Sequence, residues 1–175
     1  MTADEIFRKI AEHMVKGVMF HTQMAEYYEF LSLPAYAEEH AKHAAEEMAA
    51  FGKLKRFYIT RFDRLIAEGS PENPNVIPQS WLKHTRQDVD VGTLRSAVKT
   101  GVEGWVKWES ETKALYESMH NELMTAGEVA AACAVRKLVE AVDKELCAAK
   151  QKHFGLKAVD YAADYILDRQ AEKKH

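Results

Sequence analysis

The sequence has 175 residues, of which 47% are hydrophobic and 29% are charged, and its net charge at neutral pH is −3. This length is ordinary for one domain with its own hydrophobic core, so we predict a single domain over residues 1–175. The weak negative charge argues against nucleic acid or an anionic membrane as the main partner. The N-terminus MTADEIFRKI lacks the features of a signal peptide, and no window approaches the roughly 18 apolar residues of a membrane span, so we expect a cytoplasmic protein.

Apolar residues recur at helical spacing in four long stretches of the chain. Thr2 followed by Glu5 forms a capping box that opens the first helix. Pro34 cannot continue that helix but suits the start of the second. The predicted helices cover about 4–31, 35–68, 92–124 and 128–153, and a short C-terminal helix follows at about 156–173.

Three of the four prolines fall between residues 68 and 92, in a stretch with no helical periodicity. A connection of this length is unusual inside a compact domain. It is typical of ferritin-like bundles, where a long crossover lets the second and third helices run parallel. The sequence therefore predicts an all-α, ferritin-like four-helix bundle.

The second helix contains the segment EEHAKHAAEEM at residues 38–48, which presents two different faces. At about 100° per residue, His40, His43 and Glu47 share the arc of the apolar residues. The remaining glutamates and Lys42 point away and are expected to be solvated. The three inward side chains are candidate metal ligands.

Other helices add inward polar groups by the same test. His21 lies on the apolar stripe of the first helix and Glu109 lies near that of the third, whereas Glu140 lies about 140° from the stripe of the fourth. A core carboxylate is costly unless it is paired, protonated or bound to metal. Two hypotheses stay open. The first is a metal or small-ligand site. In the second, the histidines are satisfied within the core, and the glutamates emerge at the edge of the bundle, pair with Arg136 or Lys137, or hydrogen-bond tyrosines.

Three segments resemble helices of bacterial non-haem ferritins. The motif of the second helix in that family resembles residues 43–51, HAAEEMAAF. The third helix resembles residues 108–124, WESETKALYESMHNELM, and the fourth resembles residues 138–146, LVEAVDKEL. The resemblance implies that Glu47, Glu109 and Glu140 correspond to glutamates of a di-iron site.

The ligand pattern of that family is incomplete in this chain. The position of the first-helix glutamate falls on Met14, and the histidine expected after Glu47 is Ala50. Neither side chain can replace an oxygen or imidazole ligand of iron. A shifted site that combines the inward histidines with one glutamate would suit zinc or a single iron.

Two interpretations of function follow. In the first, the protein binds iron or another divalent metal at an altered site in the bundle core. In the second, it is a degenerate ferritin-like scaffold without metal chemistry, which acts in assembly or in binding a protein partner. Whether the chain is an enzyme stays open. The resemblance and the short C-terminal helix lead us to expect a homo-oligomer.

Overall fold

The structure, a computed structural model, describes residues 1–66, 72–77 and 85–162. Within these ranges it contains four α-helices, one short 3-10 turn and no strand, which confirms the all-α class. The helices are α1 (Ala3–Phe30), α2 (Pro34–Phe62), α3 (Val91–Thr125) and α4 (Val129–Ala158), and the 3-10 turn is Arg86–Asp88. No helix in the described ranges is long and apolar enough to cross a membrane.

The start of α1 and the turn into α2 follow the predicted signals. The Thr2 hydroxyl accepts the N–H of Glu5, and the Glu5 carboxylate accepts the N–H of Thr2, so the capping box is present. Pro34 occupies the first turn of α2, where its missing N–H costs no hydrogen bond. The turn is closed by the N–H of Leu33, which donates to the carbonyl of Tyr28.

Two predicted helix boundaries differ from the structure. The second helix ends at Phe62 rather than near residue 68, because Asp63 adopts a left-handed conformation with φ 50° and caps the helix by donating to the carbonyl of Ile59. The fourth helix continues through Gly155 to Ala158, so the predicted start of a separate helix at 156 is wrong. The rest of the predicted C-terminal helix, from residue 163 onward, lies outside the described residues.

One part of the predicted crossover, residues 72–77, lies against α1. The Gln23 side chain donates to Asn73 Oδ1, and its carbonyl oxygen accepts the N–H of Val76. Val76 and Ile77 pack against the hydrophobic core. Residues 67–71 and 78–84 of the connection lie outside the described ranges.

The core consists of two apolar clusters, and each draws side chains from all four helices. The cluster near the α1–α2 turn includes Met24, Tyr28, Tyr36, Trp105 and Ala149, and the cluster at the other end includes Met14, Phe51, Leu54, Tyr116 and Val142. On α2, α3 and α4, inward-facing histidines and glutamates fall between these two clusters, and on α1 His21 lies within the first cluster, next to Phe20. We call this zone the polar layer; it comprises His21, His40, His43, Glu47, Glu109 and Glu145.

Candidate metal centre

The polar layer brings together five of the six predicted site residues. His21, His40 and Glu109 are fully buried, and His43 and Glu47 are half-buried. They come from three helices, with His21 on α1, Glu109 on α3 and the others on α2.

Glu140, the sixth predicted residue, lies elsewhere. Its side chain is exposed on α4 and accepts a hydrogen bond of 3.0 Å from Nε of Arg136. The helical wheel had disfavoured an inward position, and only the ferritin resemblance had suggested it. The structure does not bring Glu140 to the polar layer.

The acid that α4 contributes instead is Glu145, which the sequence analysis missed. Glu145 follows Val142 by three residues and precedes Ala149 by four, and both of those residues are buried. This spacing puts all three on one face of the helix, so the signal was available. It was overlooked because Glu145 lies about 80° from the centre of the stripe that Val142 and Leu146 define.

Donor atoms of the layer, together with the adjoining Glu46, converge in two overlapping groups. In the first ligand set, His21, Glu109 and Glu145 each offer one donor atom, and these atoms all lie within 4.8 Å of one another. The second ligand set meets the same criterion with His43, Glu46 and Glu145. Glu145 is common to both sets. Glu46 is exposed, so the second set opens toward solvent while the first is enclosed.

In each set, one pair of donor atoms lies close to the spacing that a bound metal ion requires. His21 Nε2 lies 3.4 Å from Glu109 Oε1. Two ligand atoms bound to one tetrahedral ion at about 2.1 Å are themselves about 3.4 Å apart. In the second set, His43 Nδ1 lies 3.7 Å from Glu46 Oε2, which requires only a small adjustment.

Several donor atoms of the two sets have no hydrogen-bond partner within the described ranges. Seven buried side-chain atoms lack a partner there, and four of them belong to the ligand sets: His21 Nε2, His43 Nδ1, Glu109 Oε2 and Glu145 Oε2. A buried polar atom left without a partner costs about 1–3 kcal/mol. A cation in each ligand set would offer these lone pairs a partner.

Burial sets the ionisation of the layer. It raises the pKa of Glu109 to about 7, although the N–H of Trp105 donates to Glu109 Oε1 at 3.0 Å and works in the opposite direction. Burial, with neighbouring carboxyls, raises the pKa of Glu47 and of Glu145 to about 8. Burial also lowers the pKa of His21 to about 4. Near neutral pH, in the layer without metal, His21 is therefore neutral, Glu47 and Glu145 are mostly protonated, and Glu109 is about half ionised.

Glu47 lies beside the ligand sets and belongs to neither. Its carboxyl group packs against Gly17 of α1, where an added Cβ would come within 3.3 Å of Glu47 Cδ and 3.6 Å of Trp108. The indole of Trp108 stacks between His13 and Phe20, at centroid distances of 4.8 and 4.7 Å. These rings close the side of the layer next to Glu47.

Comparison of the sequence with models of known protein families and with curated proteins finds no match. The ferritin resemblance therefore stays an expectation, and the function has to be argued from the polar layer itself.

Proposed function

We propose that this protein binds a divalent transition-metal ion in the bundle core, with His21, Glu109 and Glu145 as its ligands. The observation that carries the proposal is the convergence of unpaired, buried nitrogen and oxygen atoms from three different helices. Imidazole and carboxylate ligands suit zinc and iron(II). Three protein ligands leave a coordination position for water or a substrate, as in catalytic rather than structural zinc sites.

The second ligand set offers a position for another ion. Glu145 has two carboxylate oxygens and belongs to both sets, so it would bridge the two ions. Two overlapping ligand sets at mid-bundle are what we would expect of a ferritin-like protein whose ligands have been replaced. The ends of the helices also support that topology, because Tyr27 near the end of α1 donates to the carbonyl of Ala97 near the start of α3, at 3.0 Å.

The scaffold interpretation is favoured by one observation, the raised pKa values of Glu47 and Glu145. Protonated carboxyls and neutral histidines allow the layer to stay buried without any metal. The unpaired donor atoms weigh against this interpretation, because protonation adds a donor to a carboxyl group but leaves these atoms without hydrogen-bond partners among the described residues.

Metal analysis with a matched pair of variants tests the proposal. Protein purified without chelator is analysed for its metal content and, after chelation and dialysis, titrated with Co²⁺. We expect Glu145→Gln to lose affinity for Co²⁺, because it removes the shared ligand. Glu140→Gln makes the same chemical change on the exposed face of α4 and should bind like the wild type. A wild type that retains no metal and binds no Co²⁺ would support the scaffold interpretation instead.

A further inference from the structure

His40 is a fully buried histidine of the polar layer that belongs to neither ligand set. Its Nδ1 lies 3.0 Å from Nδ1 of His21, within hydrogen-bond distance. A neutral imidazole carries one proton, so one ring has to donate through Nδ1 while the other accepts. The direction of this hydrogen bond decides which nitrogen of His21 has a free lone pair.

Metal binding fixes that direction. An ion at Nε2 of His21 needs the lone pair of that atom, so a neutral His21 must carry its proton on Nδ1. His21 Nδ1–H then donates to Nδ1 of His40, and His40 holds its own proton on Nε2.

Resting on the proposed function, we propose that His40 is the positioning residue of the metal centre: it accepts the Nδ1–H of His21 and so presents Nε2 of His21 to the ion. Metal-bound histidines in proteins usually donate their second N–H to an acceptor of this kind, which fixes the tautomer and the orientation of the ring. In this protein the acceptor is a second imidazole.

The surroundings of His40 hold the acceptor in place. The ring of Tyr28 stacks on it at 5.4 Å between centroids and 17° between planes, and Trp105 meets it edge-on at 4.8 Å. Trp105 also donates its N–H to Glu109 Oε1 at 3.0 Å. The same group of buried rings therefore orients two members of the first ligand set, His21 through His40 and Glu109 through Trp105.

Two substitutions at His40 test the role of the acceptor. In His40→Asn, the side-chain oxygen lies close to the former position of Nδ1 and can accept from His21. His40→Leu has a similar volume and no acceptor. We expect the Co²⁺ affinity of the Leu variant to fall by about 10- to 100-fold, the usual effect of removing such a partner, while the Asn variant stays close to the wild type.

His120→Leu is the matched control. His120 lies toward the far end of α3, where its Nδ1 contacts the carbonyl of Ala132 at 3.0 Å, and it belongs to neither ligand set. Its loss should leave the Co²⁺ affinity unchanged. A His40→Leu protein that binds Co²⁺ as tightly as the wild type would overturn the role of His40 alone, whereas a wild type that binds no Co²⁺ would overturn the metal site as well.

The tautomers give a second measurement, which does not depend on the folding of any variant. In ¹⁵N NMR spectra of the Zn²⁺-loaded wild type, we expect His21 to be protonated at Nδ1 and His40 at Nε2 only. His40 protonated at Nδ1 in the loaded protein would contradict the proposal, because the hydrogen bond would then run in the opposite direction.

Discussion

Replacement of Glu109 by glutamine should make the metal-free protein more stable at alkaline pH and leave it unchanged in mild acid. Glu109 is fully buried, and its pKa is raised from 4.5 to about 7. Because the folded state holds this proton more tightly than the unfolded state does, the native protein loses stability as the pH rises from 4.5 through 7. The free energy of unfolding falls by about 1.4 kcal/mol for each pH unit between the two pKa values. Above pH 7 the total loss therefore reaches about 3 kcal/mol.

Glutamine at this position keeps an acceptor for the N–H of Trp105 but cannot ionise. At about pH 4, below both pKa values, we expect the chelator-treated wild type and the Glu109→Gln variant to unfold at similar urea concentrations. At about pH 8 the variant should be more stable by about 3 kcal/mol, or roughly 6–12 °C in Tm for a chain of this length. Urea and thermal unfolding followed by circular dichroism measure both quantities.

The control for this experiment is Glu140→Gln, which removes an exposed carboxylate paired with Arg136. Exposed ion pairs contribute less than about 1 kcal/mol, so its stability should follow that of the wild type at every pH. The reasoning would be refuted if wild type and Glu109→Gln had parallel pH profiles, because Glu109 would then not ionise in a buried environment.

Two further predictions concern proton release on metal binding and the contact between Gly101 and Tyr28. Zn²⁺ binding near neutral pH should release protons, because burial raises the pKa of Glu145 to about 8 and a metal ligand must be deprotonated. A titration in weak buffer with a pH indicator measures the release, and a titration without any release would contradict this prediction. Gly101→Ala should destabilise the protein by about 1–3 kcal/mol, because the added Cβ would lie 2.5 Å from the hydroxyl oxygen of Tyr28. An unchanged urea midpoint would show that Tyr28 moves aside at no cost.

Local sequence signals were enough to predict the class of fold and much of the buried polar layer. Thr2 and Pro34 act on the residues next to them in the chain, so their capping and turn roles needed no tertiary information. Helical periodicity placed His21, His40 and Glu109 on inward faces, and all three are fully buried. These features depend only on the geometry of a single helix.

Features that depend on packing between helices were harder to predict. Ile66 continues the apolar pattern of α2 and is buried, but it lies beyond Asp63, where the helix has ended. The apolar pattern therefore did not show where the helix ends, because a loop residue can also bury an apolar side chain. Glu46 was correctly assigned to solvent, but Glu145 was missed, because membership of a ligand set depends on how far each helix is rotated about its axis. That rotation is set by the neighbouring helices rather than by the spacing of residues within one of them.

Both ligand sets join residues from the two halves of the chain. Helix α1 packs chiefly against α2, and α3 chiefly against α4, so the fold consists of two helical hairpins linked by the long connection after Phe62. His21 and His43 come from the first hairpin, and Glu109 and Glu145 come from the second. Two copies that exchanged hairpins would therefore rebuild both ligand sets with residues from two chains, and a bound ion would hold a domain-swapped dimer together as firmly as it holds the monomer.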